Sequence, residues 1–319
     1  MSLSWIHGKV FVGWENRDSK KFHFSIGDEQ FEKFITGYDD FGNEIFMDCR
    51  TTNEKYFIVT YFKKEVLDKY YNDPSKYKVD DMHLSSDFFS LKIDNNIEDY
   101  VAVLLIELGH LPHKEQLHWK QYNIAPQKGL SSTYVKTFFE GNWEQKPETA
   151  DLFFKNKYNE FNKNWKNKFG WEFYKPLSKE NIHILTALHI PTTNNIKTFC
   201  EQILSLVILT IDSLNEKELG HGIILEKGDK GISKLEKYLL SNGIQMPDMI
   251  SFLRNLQDLR SGLLAHRFSK SAKNSIRAIQ YFGINEGNYI IVAKDIFIKS
   301  INTMNTMEKV FKLVKEIEQ

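Results

Sequence analysis

Two residues late in the chain carry groups that could act on a phosphodiester. Arg260 and His266 lie in Asp258-Leu-Arg-Ser-Gly-Leu-Leu-Ala-His-Arg267, at the end of a leucine-rich stretch. A guanidinium is permanently charged and can clamp a phosphate through two parallel hydrogen bonds. An imidazole titrates near neutrality and can move a proton to or from a ribose hydroxyl. The pair suits metal-free RNA cleavage: a 2′-hydroxyl is activated, attacks the adjacent phosphate, and arginine stabilises the charged transition state. Positions six apart on a regular helix differ by about 240° of rotation. The two groups therefore meet only if the helix bends at Gly262, ends near Ala265, or faces a second copy.

A second constellation holds metal-ligand residue types: Glu107, His110, His113, Glu115 and His118. Its spacing is not that of two histidines one helical turn apart. Pro112 separates His110 from His113, and His118 is five residues further on. A metal-dependent hydrolase built on Glu107, His110, His113 or His118 is one alternative. The other reading is a charged first helical turn followed by packing at His118-Trp119. Glu226-Lys-Gly-Asp-Lys-Gly231 lacks the ending of a phosphate-binding loop, and no Gly-x-Ser-x-Gly occurs. No cofactor and no bound metal are expected.

The elements that must position these residues fall into two parts. Residues 1–190 read as a mixed α+β domain of possible sensor or regulatory role. Strands are expected at Lys9–Trp14, Lys21–Ile26, Tyr56–Phe62, Phe88–Ile93 and Asp99–Glu107. Turns are expected at Tyr38–Asn43 and Asp94–Asn96, and a helix over Lys63–Tyr71 stopped by Asn72-Asp-Pro74. Between Ala150 and Phe169 the aromatics Phe154, Tyr158, Phe161, Trp165 and Phe169 mark one helical face, with lysines opposite. Aromatics beside lysines can stack nucleic acid, but a core-packing stripe with a solvated basic face is the simpler account. A short helix is expected over Lys179–Leu188.

Residues 191–319 read as an all-α bundle of about four helices. Helices are expected over Asn195–Asn215 and Ile232–Ser241, from Met246 into the Arg260 stretch, and over Asp295–Glu318. Gly287–Val292 could be a brief strand or an approach to the last helix, and Phe268–Asn274 a polar loop. Basic and acidic residues both number 42, so a nucleic-acid site would have to be local rather than a whole-protein field. Cys49 and Cys200 are far apart and suggest neither a disulfide framework nor a cysteine zinc site. The longest apolar run, Ile203–Ile211, is too short to span a bilayer, and no basic-then-apolar leader opens the chain. A cytoplasmic protein without membrane contact is expected.

Phe252-Leu-Arg-Asn-Leu-Gln-Asp-Leu-Arg260-Ser-Gly-Leu-Leu-Ala-His266, at the end of an apolar helix late in a helical bundle, resembles the Arg-x(4–6)-His motif of the HEPN-domain superfamily. The resemblance spans roughly residues 196–319. It implies a helical bundle that dimerises so that two motifs line one cleft. Many such proteins are metal-independent ribonucleases of toxin–antitoxin, abortive-infection and CRISPR effector systems, which implies a role in prokaryotic or phage defence, and others only bind RNA or protein. It makes Arg260 the phosphate-binding group and His266 the general base or acid. Ser261 stands where asparagine or aspartate is more usual, and with Arg267 becomes a candidate RNA contact. The implied partners are RNA, a second copy, and an antitoxin or regulator. The rival without catalysis is a dimerisation or interaction module in which Arg260 and His266 make structural hydrogen bonds. The region 100–190, including Leu111–Trp119, is similar to part of an uncharacterised bacterial family carrying the same C-terminal unit.

Overall fold

Short β-branched and aromatic segments pair first. The structure, a computed structural model, describes residues 30–143, 145–178, 181–264 and 273–313. The strands expected at Lys9–Trp14 and Lys21–Ile26 lie outside them. A hairpin of β1 (Lys33–Tyr38) and β2 (Glu44–Asp48) is closed by Asp39, whose carboxylate accepts the amides of Phe41 and Asn43. The central antiparallel sheet has β3 (Val59–Lys63) between β7 and β8. The expected strand at Tyr56 starts later, because Asn53–Lys55 forms a 3-10 turn whose carbonyls take the following amides.

After β3, a 3-10 turn and α1 (Asp68–Tyr71) form the expected helical segment, ending at Asn72. A second antiparallel sheet, order β4-β5-β6, is made of β4 (Tyr77–Val79), β5 (His83–Ser86) and β6 (Ser90–Lys92). β7 (Tyr100–Leu104) is buried at every residue. The strand expected to continue to Glu107 turns instead into α2 (Leu105–Leu108), which buries Leu105, Ile106 and Leu108 and leaves Glu107 mostly covered, paired with Lys92. Then come α3 (His113–Lys120), β8 (Asn123–Ile124) and α4 (Ser132–Phe138).

Asp94-Asn95-Asn96 is more than a turn. All three residues are buried, so every polar group in them needs a partner. The Asp94 backbone exchanges hydrogen bonds with Ala102 of β7. Its carboxylate accepts Ser131 N at 2.6 Å and Ser131 Oγ at 2.8 Å, fixing the start of α4. Asn95 accepts Lys64 Nζ on both its carbonyl and its Oδ1, and donates to Tyr71 Oη and the Asp80 carbonyl. Asn96 accepts Glu148 N and donates to the Asp81 carbonyl. Burial pushes the Asp94 carboxyl upward against the pull of the Ser131 and Asn96 donors.

The aromatic stripe forms α5 (Ala150–Phe169), which ends at Gly170 in the left-handed region. α6 (His183–Ala187) follows, then α7 (Ile196–Val207), capped by Asn195 and extended by a π-helical turn, Ile208–Asp212. The unit closes with α8 (Glu216–Leu219), α9 (Gly231–Ser241), α10 (Pro247–Leu264), α11 (Lys273–Phe282) and α12 (Tyr289–Val310). Gly287–Val292 is not a strand: from Tyr289 it belongs to α12.

One core cluster contains Phe154, Tyr158, Phe161 and Trp165 of α5 together with side chains of α7, α9, α10 and α12. The helical core thus begins at α5, inside the segment grouped by sequence with the N-terminal region. Phe154 meets Phe297 edge-on at 5.6 Å, and Trp165 meets Phe311 at 5.0 Å. Lys157 pairs with Glu308 in the same interface, both buried, so two charges are satisfied inside an apolar seam. The separate N-terminal core runs from Phe34 to Trp119.

The two cores are bridged by polar and stacked contacts. Tyr71 stacks on His189 at 4.0 Å and 6°. Thr192 donates to Asp68, Lys155 Nζ lies 5.9 Å over the Tyr71 ring, and Lys294 pairs with Glu98. His189 Nδ1 lies 2.7 Å from the Ala187 carbonyl, so the ring donates there as the neutral tautomer. Burial, with Lys155 nearby, pulls its pKa from 6.5 down to about 4, against the pull of the Ala187 carbonyl and Asp151.

Two predictions follow from these contacts. A depressed histidine pKa favours folding while the unfolded chain is also neutral. Stability is therefore full above pH 6.5 and falls as pH drops from 6.5 toward 4, by on the order of 3 kcal/mol. Denaturant titrations across that range should show a shallower acid slope in His189→Phe, which keeps a ring against Tyr71. Lys157→Met alone should lose about 3–5 kcal/mol, and Lys157→Met with Glu308→Leu should recover most of it, measured by chemical unfolding.

Candidate functional site

α10 buries Met249, Ile250, Phe252, Leu253, Leu256 and Leu259, a helical spacing that turns one face into the core. Arg260 follows the last of these and comes out at the border of that face. Its Nη1 donates to Asp212 Oδ1 at 2.8 Å, with 30% of the arginine side chain and 35% of the aspartate exposed. Its Nε is buried without a hydrogen-bond partner among the described residues. A guanidinium has five N–H donors; among the described residues this one is tethered at Nη1 alone, and Nη2 has no partner.

Asp212 is placed by the π turn that ends α7. Thr210 donates its hydroxyl to the Leu206 carbonyl, and Ser213 donates to that of Ile208. These bonds support the wider turn and bring the carboxylate opposite α10. Single π turns inside helices recur at functional sites. Asp212 is the site residue that sequence reasoning missed. Its one signal was position: a lone carboxylate directly after the apolar run Ile203–Ile211.

Ser261 is exposed and donates its hydroxyl to the Gln257 carbonyl one turn back on α10. His266 and Arg267 lie outside the described residues. Gly262 is not a bend: α10 runs through it to Leu264. It is a crossing point instead. A Cβ at Gly262 would stand 2.5 Å from Ser275 Oγ and 2.6 Å from Ser275 Cβ of α11. Arg277 of α11 also pairs with Asp258 at 2.6 Å, so the crossing is pinned two residues from Arg260.

The histidine constellation does not converge. Glu107 pairs with Lys92 at 3.3 Å and lies 3.9 Å from His110. His113 meets Glu32 at 2.8 Å. His118 Nε2 meets the Val66 carbonyl at 2.9 Å, and burial lowers its pKa. Glu115 is held by Lys69 and the Tyr70 hydroxyl, which also accepts the Trp119 indole. Among the described residues no group of three or more His, Cys, Asp or Glu is arranged to hold a metal ion. Gly109 has a packing role, since a Cβ there would fall 2.2 Å from the Cys49 carbonyl oxygen.

No protein-family model, curated protein or solved structure matches this chain. Among the described residues no helix is long and apolar enough to cross a membrane.

The close crossing beside Arg260 is directly testable. Gly262→Ala gains helix propensity of about 1 kcal/mol but forces α10 and α11 apart, a strain of about 1–3 kcal/mol. A net loss is expected in chemical denaturation. Adding Ser275→Gly should return the double variant toward wild-type stability.

Proposed function

We propose that the chain is a HEPN-type protein that acts on RNA through Arg260 and His266, cleaving it without a metal ion. The observation that carries this reading is the state of Arg260. It is a part-exposed guanidinium, anchored among the described residues by one hydrogen bond from Nη1 to Asp212, which leaves its Nη2 protons for a phosphate. The tether to Asp212 limits the rotamers of a long side chain, so less entropy is lost when a phosphate binds. With zero net charge, RNA affinity must come from such a local site and from Arg267 and Ser261 beside it.

In the proposed step, neutral His266 takes the 2′-hydroxyl proton and a new bond forms from O2′ to phosphorus. The bond from phosphorus to O5′ breaks, and the leaving oxygen takes a proton from solvent water, while the proton held by His266 returns to solvent. The products are a 2′,3′-cyclic phosphate and a 5′-hydroxyl. Arg260 faces the non-bridging oxygens as charge builds on them. The spacing of Arg260 and His266 favours completion of the cleft by a second copy. The N-terminal region would then control access, and an antitoxin or regulator would restrain the activity.

The same Arg260–Asp212 pair also favours a second reading, a non-catalytic interaction module in which the arginine simply ties α10 to α7. The two separate in one experiment: cleavage of varied RNAs in excess chelator by wild type, Arg260→Ala, His266→Ala and Asp212→Asn. For a nuclease, Arg260→Ala and His266→Ala should each lose about 100- to 1,000-fold in rate, while a part-exposed ion pair is worth only about 0.2–1 kcal/mol of stability. Undiminished cleavage by His266→Ala, or no cleavage by wild type, rejects the nuclease reading.

A further inference from the structure

A cavity of about 210 Å³ opens between the N-terminal sheets and the helical unit, far from Arg260 in the fold's connectivity. Its floor is polar and buried. Asn95, Tyr71 and Thr149 are each at least nine-tenths buried, and Lys64 reaches in beside them. Thr149 stands at the N-cap of α5, yet its hydroxyl does not cap the helix. Thr149 Oγ1 is buried and has no hydrogen-bond partner among the described residues. A buried hydroxyl left unpaired is destabilising, so such a group points to something that pairs with it.

Two more donors share that floor. Lys64 Nζ donates to Asn95 O at 2.9 Å and to Asn95 Oδ1 at 2.7 Å, which uses two of three protons. Tyr71 Oη accepts from Asn95 Nδ2, and its own proton has no acceptor among the described residues. The third Lys64 proton and the Tyr71 hydroxyl are thus unused donors at Asn95, and the Thr149 hydroxyl is a further one on the same lining. Burial pulls the Lys64 ammonium down to about 8, against the pull of Asp151 and Asp94, so a bound anionic group would stabilise its charge.

The rest of the lining has the opposite sign. Asp151 spends one carboxylate oxygen on Leu152 N and the other on Ile190 N, and Glu98 is paired with Lys294. Glu65 and Asp99 also line the cavity, are more exposed, and form no ion pair among the described residues. A ligand that fits presents acceptor oxygens inward and a cation outward. The volume is below the roughly 300–1,000 Å³ of drug-sized sites, so the ligand is small.

We propose that this cavity binds a small zwitterion of the amino-acid class. Its carboxylate meets Lys64, Thr149 and Tyr71, and its ammonium meets Glu65 and Asp99. Walls from α1, α5 and α12 close on it, so binding ties the N-terminal region to the helical unit. The inference goes beyond the RNA reading and does not depend on it.

The test is thermal melting of the full chain with each standard L-amino acid at millimolar concentration, and with the N-acetyl form of any that acts. At least one amino acid should raise Tm by about 2–4 °C. The shift should vanish in Thr149→Val and Lys64→Met, and with the N-acetyl form. Thr149→Val removes only an unpartnered hydroxyl, so it should melt no lower than wild type and decides the question even if Lys64→Met does not fold. No shift with any amino acid, a shift that survives in Thr149→Val, or an equal shift with the N-acetyl form overturns the proposal. RNA is absent from every arm, so the outcome is separate from that of the cleavage assay.

Discussion

Three consecutive buried polar residues, Asp94-Asn95-Asn96, set the terms for the N-terminal half and its junction with the helices. Removing their amides and carboxylate from water is unfavourable unless each is paired. The partners come from β7, the turn after β3, α1, the β4–β5 turn, the start of α4 and the approach to α5. None of these segments can shift without stranding a buried group. Small sheets that would be marginal alone are thus held in one arrangement.

From that junction the structure is built outward by packing. α5 carries the aromatic face onto α12, and the Lys157–Glu308 pair sets the register of that seam. α10 and α7 share the same core, which brings Arg260 to Asp212. Gly262 allows α11 to come close enough to touch the α10 backbone two residues from Arg260. The arginine is therefore positioned by apolar contacts on one side of α10 and by a single carboxylate on the other. Among the described residues, this holds the guanidinium in place while Nη2 stays unpaired.

Local chemistry was legible in the amino-acid order, and distant pairing was not. The stripe Phe154–Tyr158–Phe161–Trp165–Phe169 is a helix because 3.6-residue geometry demands one face. The Asp39–Asn43 turn announces itself through an aspartate that can bond amides two and four residues on. β4 and β5 were too short for alternation to show. Asp94–Asn96 read as a plain turn because its partners are remote: Lys64 at 31 residues, Ser131 at 37 and Glu148 at 52. Arg260 was visible as a residue type, but its carboxylate is 48 residues away on another helix. The bend expected at Gly262 failed for a related reason. A glycine inside a helix signals either a kink or a close neighbour, and Ser275 decides for the neighbour. The histidine constellation scattered because α2, Pro112 and α3 send consecutive ligand types toward different partners.

The central claim is that Arg260 is held ready for a phosphate and that RNA is cleaved by its own 2′-hydroxyl rather than by metal-activated water. The chemistry of the product ends tests this most directly. RNA digested in excess chelator should carry 2′,3′-cyclic phosphate and 5′-hydroxyl ends, and a 2′-O-methyl group at the cut position should block the cut. Products with 3′-hydroxyl and 5′-phosphate ends, or cleavage that continues past the 2′-O-methyl group, would contradict the account.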